Sequence, residues 1–391
     1  MDFSLTQEQQ DFSRMVENFA KNEIAPLTLE MDEKQEWLPR SVYKKMAGLG
    51  LCGVYYPEEY GGLGLGATDT LVAMEAACRG GACAGSVISW GTNLTIGSLG
   101  IVKFGTEEQK SRYLPGIASG DLITCFALTE PGAGSDASGI RMRAEKKGDH
   151  YVLNGTKLFI TNGPICDMGI VFAVTDPSRG ALGISAFIFE KGFPGFSRGN
   201  KLNKMGMRSS PTGELVFEDC IVPAENLLAK EGEGFTKVAH GTLEWERCVF
   251  GYYLGLMEYN LNLCIDYVKT REQFGQPIGN FQAMRHRIAE MRTELDAARF
   301  LMYRIAWMID NRMTPAPVEA SIGKSFLGTV AKKNAEYAVH IFGGYGYCKE
   351  YIVERSYRDV KLIDIGGGTL EIQRDIIAQG LLGRPAKPKK S

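Results

Sequence analysis

The stretch His150–Gly163 reads HYVLNGTKLFITNG, and it decides the class of fold. β-Branched and aromatic side chains are frequent in it, and turn residues end it, as in a strand. Similar short runs occur before and after it: LITCFALTE, MGIVFAVTD, GISAFIFEKG and ELVFEDCIV. Clusters of Gly, Pro, Asn and Asp separate these runs, as turns separate strands. The pattern predicts a small antiparallel sheet domain or barrel over residues 122–232.

Both flanks of this β segment show helical periodicity. Residues 1–121 carry apolar residues at helical spacing, with helix-start signals at Thr6-x-x-Gln9 and Thr106-x-x-Gln109. Glycine-rich turns at 60–66 and 80–81 divide that segment. Helical patterns return over residues 233–391, including 235–271 and 280–311. The chain is therefore predicted to be an α+β multidomain protein with a helical, a β and a second helical domain.

Composition excludes several classes of function. A chain of 391 residues with 44% hydrophobic and 23% charged residues is an ordinary globular protein of two or three units. A net charge of −2 gives no footprint for nucleic acid. Nine cysteines without a CxxC pair and four histidines without ligand spacing indicate reduced core cysteines and no catalytic metal. The start lacks the build of a signal peptide and no apolar run could span a membrane, which predicts a cytoplasmic protein.

Two glycine-rich stretches imitate a dinucleotide fingerprint. The first, Gly132-Ala133-Gly134-x-x-Ala137, follows a predicted strand but leads into more β pattern. The second, at residues 62–66, lies between predicted helices. Neither belongs to a βαβ unit, so a Rossmann site is not expected.

Four motifs follow one another along the chain: TEPGAGSD at 129–136, FITNG at 159–163, TREQFG at 270–275 and IFGGYG at 341–346. In order and spacing they resemble the motif series of the acyl-CoA dehydrogenase family, and the whole chain is most similar to its isovaleryl-CoA dehydrogenase branch. The resemblance implies a helical N-terminal domain, a middle β domain and a C-terminal four-helix bundle. It also implies FAD as cofactor, a homotetramer, and electron transfer to an electron-transfer flavoprotein.

The same resemblance assigns roles to individual residues. The flavin would be lined by Phe126, Leu128, Thr129, Ser135, Phe159 and Thr161. A neighbouring subunit would supply contacts to FAD from Arg271, Phe274 and Gln282. The pyrophosphate and adenosine part would lie along His340, Gly344, Thr369 and Glu371. On the substrate side, the resemblance implies contacts from Ser135 and Ser210, the latter with the CoA portion.

The reaction of this family removes an α-proton from a thioester, so it needs one carboxylate in a dry pocket. Many members carry that glutamate in a Tyr-Glu-Gly-Thr segment near the end of the chain. Here the matching segment is 366-GGGT-369, and Gly367 occupies the position of the carboxylate. Gly367 still has a backbone N–H, which could hold the thioester oxygen as enolate charge develops.

The isovaleryl branch places its base instead in a Leu-Asp-Leu-Glu-Arg segment, and this chain has 243-LEWER-247 there. On a helical wheel Glu246 lies within an apolar stripe, where burial raises the pKa of a carboxyl group, while Glu244 lies on the opposite, polar side. Glu246 is therefore the predicted base. Two alternatives stay open. The first is a buried ion pair of Glu246 with Arg247. The second is a register shift: the motif arrives one residue late counted from Gly234 and is one residue short counted back from Arg271, so an ungapped match places Trp245 at the position of the base.

Three functions remain compatible with these features. The first is desaturation of an acyl-CoA whose acyl group is branched, cyclic or aryl-substituted, or a substituted succinyl group whose second carboxylate Arg247 would bind. The second is the same site working in reverse as an enoyl-CoA reductase. The third, motivated by Gly367 and the register shift, is a catalytically silent subunit that binds flavin or CoA in a hetero-oligomer.

Overall fold

The computed structural model describes residues 4–313 and 317–383, and only the backbone at positions 244, 246, 247 and 317. The N-terminal region is helical, as predicted. Thr6 and Thr106 each cap a helix through a reciprocal capping box with the glutamine three residues later, which confirms both helix-start signals. The helices are α1 Gln7–Phe19, α2 Thr28–Lys34, α3 Arg40–Gly48, α4 Ala67–Arg79, α5 Ala84–Leu94, α6 Leu99–Phe104 and α7 Glu107–Ala118.

The middle region is a β domain built on one eight-stranded sheet in the order β6-β7-β3-β2-β4-β5-β8, with β1 pairing β4. Most neighbours are antiparallel, but β1 runs parallel to β4 and one residue pair joins β2 to β4 in parallel. A separate apolar core of the sheet includes Phe187, Phe189 and Phe217. The strands are β1 Thr124–Ala127, β2 Arg143–Lys147, β3 His150–Thr161, β4 Met168–Val174, β5 Ile184–Glu190, β6 Phe196–Lys201, β7 Thr212–Pro223 and β8 Leu227–Leu228.

The C-terminal region is helical, and its four long helices α9, α10, α11 and α13 pack into a bundle. A short hairpin of β9 and β10 joins α9 to α10. The elements are α8 His240–Val249, α9 Tyr252–Thr270, β9 Glu272–Gln273, β10 Gln276–Pro277, α10 Gln282–Asp310, α11 Pro317–Phe342, α12 Ile352–Asp359 and α13 Leu370–Leu382. The helical, β, helical order predicted from the sequence is thereby confirmed.

The helical pattern over 235–271 forms three pieces rather than one helix. A π-helical turn at Gly234–Ala239 leads into α8, and a tight turn with i→i+3 hydrogen bonds around Gly251 separates α8 from α9. Close packing against α4 explains the glycines at and just after this break. A Cβ atom at Gly251 would lie 2.0 Å from Leu71 Cδ1, and one at Gly255 would lie 2.0 Å from the Glu75 carbonyl oxygen.

Two expectations about single residue types can be compared with the described part of the chain. Eight of the nine cysteines are buried and unbridged as predicted, whereas Cys348 is exposed because it lies in a surface turn after α11. No group of three or more metal-binding side chains occurs among the described residues. Within the same ranges, every helix is too short or too polar to cross a membrane.

Candidate active site

The first two motifs meet at an irregularity in strand β3. The amide of Leu158 donates to the Thr129 carbonyl over 2.9 Å, which joins the FITNG strand to the TEPGAGSD loop. Between Lys157 and Ile160 strand β3 carries one residue more than its partner β7, a β-bulge. Within the bulge Phe159 adopts φ 60° and leaves 62% of its surface exposed. A bulky residue at positive φ is strained, and such strain is concentrated at functional sites.

A buried ion pair lies directly beneath these two segments. Lys157 Nζ bonds Glu130 Oε1 at 2.8 Å and the Leu128 carbonyl at 3.0 Å, and both ionic side chains are buried. The Glu130 carboxylate also accepts the amides of Arg141 and Met142. Burial lowers the pKa of the Lys157 ammonium group to about 8, although Glu130 opposes this shift. Burial alone would raise the pKa of Glu130, but the Lys157 charge and these hydrogen bonds lower it.

The loop that follows presents free polar groups. Ser135 is exposed, and in the described part of the chain the amides of Gly134 and Ser135 donate to no acceptor. Thr129 and Thr161 are half-buried at the two ends of the same surface. Amides and hydroxyls beside an exposed aromatic ring are the groups that suit the edge of an isoalloxazine ring system. The residues present therefore fit a flavin.

The other two predicted lining residues, Phe126 and Leu128, are buried. The ring of Phe126 packs against Phe172 with centroids 4.8 Å apart, so its side chain belongs to the core under the loop. Leu128 contributes the carbonyl that Lys157 binds. Whether either of them contacts a flavin remains a prediction.

The predicted CoA contact, Ser210, is also buried. Its hydroxyl lies 3.0 Å from the Ser89 hydroxyl, and its carbonyl accepts from Lys204 Nζ at 2.6 Å. Burial, together with nearby Lys201, lowers the pKa of Lys204 to about 8. The serine itself is thus engaged within the fold, and its role toward CoA remains a prediction.

The third and fourth motifs meet on the C-terminal bundle. The guanidinium group of Arg271 lies 5.6 Å from the ring centroid of Tyr345, which joins the β9–β10 hairpin to the IFGGYG turn. Phe274 occupies the tip of that hairpin at φ 54° with 92% of its surface exposed. Gln282 and His340 are exposed, and a Cβ atom at Gly344 would meet nothing within 4 Å. This surface is open for a cofactor or a neighbouring subunit.

The remaining two predicted cofactor contacts lie at the start of α13. Thr369 is the N-cap residue, and its hydroxyl accepts the amide of Ile372 at 3.3 Å. Glu371 is exposed and forms a surface ion pair with Arg374. Their predicted positions along the adenosine part of FAD remain predictions.

The glycine segment before α13 is held by two buried side chains. Lys324 Nζ on α11 donates to the Gly366 carbonyl over 2.6 Å and also to the Gly368 carbonyl. Gln373 Nε2 donates to the carbonyls of Gly367 and Gly368 at 3.0 and 3.1 Å. Gly367 and Gly368 have φ of 62° and 85°, a conformation that glycine adopts without strain.

The predicted base lies on α8, but the side chains of Glu246 and Arg247 lie outside the described residues, as does that of Glu244. Their neighbours define the helix faces. Trp245 packs against the ring of Tyr55 with centroids 4.7 Å apart, so it fills the core. The helical wheel placed Glu244 on a polar, solvent-facing side. Glu258 on α9 belongs to the same predicted side, but it is half-buried in an ion pair with Arg299. That side is therefore not fully exposed to solvent.

Sequence reasoning missed Glu130, Lys157, Lys324 and Gln373. A signal existed for both lysines. On strand β3, Lys157 is an even number of residues from the buried Tyr151 and Leu153, so its side chain is expected on the same, buried face. On helix α11, Lys324 lies at a position whose side chain faces the core. A lysine at a buried position indicates a specific partner, but the sequence does not reveal which one.

The comparisons with known proteins agree with this architecture. The descriptions of the matching family models are acyl-CoA dehydrogenase N-terminal domain over residues 6–121, middle domain over 125–220 and C-terminal domain over 232–382. An acyl-CoA dehydrogenase of Bacillus subtilis (strain 168) is 46% identical over 97% of this chain and 99% of its own length. The acryloyl-CoA reductase (NADH) of Anaerotignum propionicum is 42% identical over 98% and 97%. The mitochondrial isovaleryl-CoA dehydrogenase of Pongo abelii is 41% identical over 96% and 89%, no nearer than other members.

Solved structures show the same likeness. Butyryl-CoA dehydrogenase from Megasphaera elsdenii matches with a TM-score of 0.94 at 41% identity, over 98% of this chain and all of the other. A chain from a structural study of the electron transferring flavoprotein of Acidaminococcus fermentans matches with a TM-score of 0.94 at 45% identity, over 98% and 100%.

Three packed domains in this order, together with the family models that match each of them, define a flavin-dependent oxidoreductase of the acyl-CoA dehydrogenase type. The chain belongs to the acyl-CoA dehydrogenase family. Its cofactor is FAD, the cofactor present in the structurally similar PigA complex.

Proposed function

We propose that this enzyme introduces an α,β double bond into an acyl-CoA, with Glu246 as the base. FAD, when bound, would supply the acceptor for the hydride that leaves the β-carbon. The Glu246 carboxylate takes the proton from the α-carbon, and the electron pair of that C–H bond becomes the new carbon–carbon double bond. The Gly367 N–H binds the thioester oxygen and stabilises the charge that develops on it.

The observation that carries this proposal is the position of α8 relative to the glycine segment. Helix α8 packs against α11. Phe250, one helical turn after position 246, lies with its ring centroid 5.2 Å from Lys324 Nζ. The same Lys324 binds the carbonyls of Gly366 and Gly368. The predicted base and the predicted donor to the thioester oxygen therefore belong to segments that flank one lysine.

The register shift around the LEWER motif has a structural counterpart. A π-helical turn uses about one residue more than an α-helical turn, and a 3₁₀-type turn uses fewer. The π turn at Gly234–Ala239 precedes α8, and the tight turn around Gly251 follows it. An extra residue before the motif and a missing one after it can thus be absorbed without moving α8. This supports Glu246 rather than Trp245, whose side chain fills the core.

The acyl group follows from the empty position at Gly367. A glutamate side chain there would occupy space next to the α-carbon, and its absence leaves room for a branched, cyclic or aryl-substituted acyl group. Arg247 follows the base directly in the sequence. A substituted succinyl group, whose second carboxylate an arginine can bind in bidentate fashion, is therefore included in the substrate class.

We also infer that electrons pass to an electron-transfer flavoprotein and that four copies assemble. The similarity to the chain studied with the Acidaminococcus flavoprotein supports the first inference. The second accounts for Phe274, whose ring stands at the tip of the β9–β10 hairpin with 92% of its surface exposed and open to a neighbouring chain.

A second candidate function is reduction of an enoyl-CoA by the same site. The observation that favours it is the 42% identity to a protein named acryloyl-CoA reductase (NADH) over nearly the full length of both chains. Both directions use the same proton and hydride positions, so the direction depends on the redox partner rather than on the residues of the site.

The deciding experiment is anaerobic bleaching of the flavin absorbance by straight, branched, cyclic, aryl and substituted succinyl acyl-CoAs. Wild type is compared with Glu246→Gln, and Glu244→Gln on the same helix is the matched control. One saturated thioester should bleach wild type and Glu244→Gln quickly, while Glu246→Gln slows by at least about a hundredfold, the usual contribution of a general base. Equal rates in all three would remove Glu246 from the mechanism. No bleaching by any member would favour the reductase or a catalytically silent subunit.

A further inference from the structure

Lys324 is a buried cation whose partners are unusual. It lies on α11 and is fully buried, yet its ammonium group donates to two backbone carbonyls, those of Gly366 and Gly368. The same ammonium group lies 5.2 Å from the ring centroid of Phe250. Lys324 thereby links α11 to the glycine segment before α13 and to the residue that follows α8.

The contact between Lys324 and the Gly366 carbonyl sets the direction of the neighbouring N–H group. In a planar trans peptide the C=O of one residue and the N–H of the next point in opposite directions. Lys324 binds the Gly366 carbonyl, so the Gly367 N–H of the same peptide is directed away from the lysine. In the described part of the chain, which leaves out the side chains at positions 244, 246, 247 and 317, that N–H donates to no backbone carbonyl. The lysine therefore fixes the orientation of a donor that is free to bind a ligand.

The charge adds a second effect. A cation at the carbonyl oxygen draws electron density through the amide and makes its N–H a stronger donor, as along a chain of hydrogen bonds. Gln373 donates to the carbonyls of Gly367 and Gly368, so the glycine segment is hydrogen-bonded by Gln373 as well as by Lys324. Gly367 and Gly368 both need positive φ in this arrangement, which explains glycine at these positions.

We propose that Lys324 is the positioning residue of the thioester-oxygen site, and that it aims and polarises the Gly367 N–H through the Gly366 carbonyl. The inference rests on the proposed function, which gives the Gly367 N–H its ligand. It adds that recognition of the thioester carbonyl depends on a lysine that does not touch the substrate.

The test compares two ligands that differ only at the carbonyl. They are trans-2-butenoyl-CoA and S-(2-butenyl)-CoA, in which a CH₂ group replaces the thioester C=O. Affinities for the FAD-loaded enzyme are measured by calorimetry, without turnover. Lys324→Met should weaken the thioester about tenfold, the worth of one good hydrogen bond, and leave the thioether unchanged. Lys324→Arg, which keeps the charge, should recover most of the preference.

Lys333→Met is the matched control, since Lys333 lies on the same helix and bonds Glu290 and Glu294 on α10 instead. This variant should keep the preference of the wild type for the thioester over the thioether. If Lys324→Met does not fold, Gln373→Met, which removes no charge, should give the same selective loss, about threefold for a partly weakened bond. Equal weakening of both ligands, or none, would overturn the role of Lys324. A wild type that binds both ligands equally would overturn the Gly367 contact itself, while the Glu246 comparison would still test the base.

Discussion

The ammonium nitrogen of Lys157 lies 2.8 Å from Oε1 of Glu130, and both side chains are buried beside the loop that is predicted to line the flavin. Removing one partner of a buried pair leaves an uncompensated charge and costs about 3–5 kcal/mol. We therefore expect Lys157→Met to release FAD, with an affinity at least tenfold weaker by flavin fluorescence after dilution, about 1.4 kcal/mol. The double variant Lys157→Met with Glu130→Gln should regain part of that affinity.

The control for this prediction is Lys191→Met in the same domain. Lys191 also forms an ion pair at 2.9 Å, with Asp167, but its own side chain is largely exposed. Without Lys191 the Asp167 carboxylate keeps Arg40 and the amide of Ile123 as partners, so no charge is left uncompensated and this variant should keep its FAD. Similar losses in Lys157→Met and Lys191→Met would show that the buried pair has no special function toward the cofactor.

Phe159 offers a test of strain against function. Its φ of 60° costs about 1 kcal/mol for a residue with a Cβ atom, and glycine removes that cost. In the FAD-free protein we expect Phe159→Gly to be more stable than Phe159→Ala by about that amount in denaturant unfolding. Both variants should bind FAD about tenfold more weakly, because both lose the exposed ring. An FAD affinity equal to that of wild type in both would show that the ring faces something other than the flavin.

These residues also show what the sequence could predict. Strand β3 and the capping boxes at Thr6 and Thr106 are local, because each depends on residues within a few positions of one another, and they were predicted correctly. The bulge at Phe159 was not, since nothing in FITNG requires a phenylalanine at positive φ. The contact from Lys157 to Glu130 joins positions 27 residues apart in sequence. Its existence depends on the pairing of the strands.

The helix breaks show a similar limit. The pattern over 235–271 has helical periodicity throughout, and it predicted that region as helical. Only the approach of α4, whose Leu71 leaves no room for a Cβ at Gly251 and whose Glu75 carbonyl leaves none at Gly255, reveals why both positions are glycine. The four-residue spacing of these two glycines was the available signal for close helix packing.

Asp359 should give the enzyme a specific pH dependence. Burial raises the pKa of its carboxyl group to about 6, although Arg355 and the amide of Met207 oppose the shift. The folded protein then holds a proton between about pH 4 and 6 that the unfolded chain has lost, so stability from this group falls as pH rises through that window. Asp359→Asn should therefore gain stability relative to wild type by up to about 3 kcal/mol between pH 4 and 7, measured by thermal unfolding at each pH.

Asp364 provides a control of opposite sign. Burial would raise its pKa, but the ammonium groups of Lys332 and Lys361, each 2.7 Å from the carboxylate, lower it. The ionised Asp364 carboxylate therefore stabilises the fold at pH values above the pKa of the unfolded chain. This stabilisation is lost as the pH falls through the lowered pKa of the folded protein. Asp364→Asn should thus be less stable than wild type at pH 7, with the difference shrinking in acid. The same trend in both variants would contradict the assignment for Asp359.

Phe274 at the tip of the β9–β10 hairpin should serve the cofactor of a neighbouring subunit. Because 92% of its surface is exposed in the single chain, Phe274→Ser should leave the stability of the FAD-free chain within about 0.5 kcal/mol. FAD retention on dilution should nevertheless fall about tenfold, because an aromatic contact worth roughly 1–2 kcal/mol is lost. Leu182→Ser, an exposed apolar residue in a turn of the β domain, is the control and should retain FAD.

Complementation in trans decides whether that contact crosses between subunits. A pair formed by Phe274→Ser and Lys157→Met chains contains one site with an intact loop and an intact hairpin from its partner. When equal amounts of the two chains mix at random, about half of the symmetric dimers contain one chain of each kind. One of the two FAD sites in each mixed dimer is intact, so about a quarter of all sites should bind FAD again. Mixed and unmixed samples are compared for flavin bound per chain. If mixing restores nothing, Phe274 acts within its own chain, and the proposed subunit arrangement is wrong.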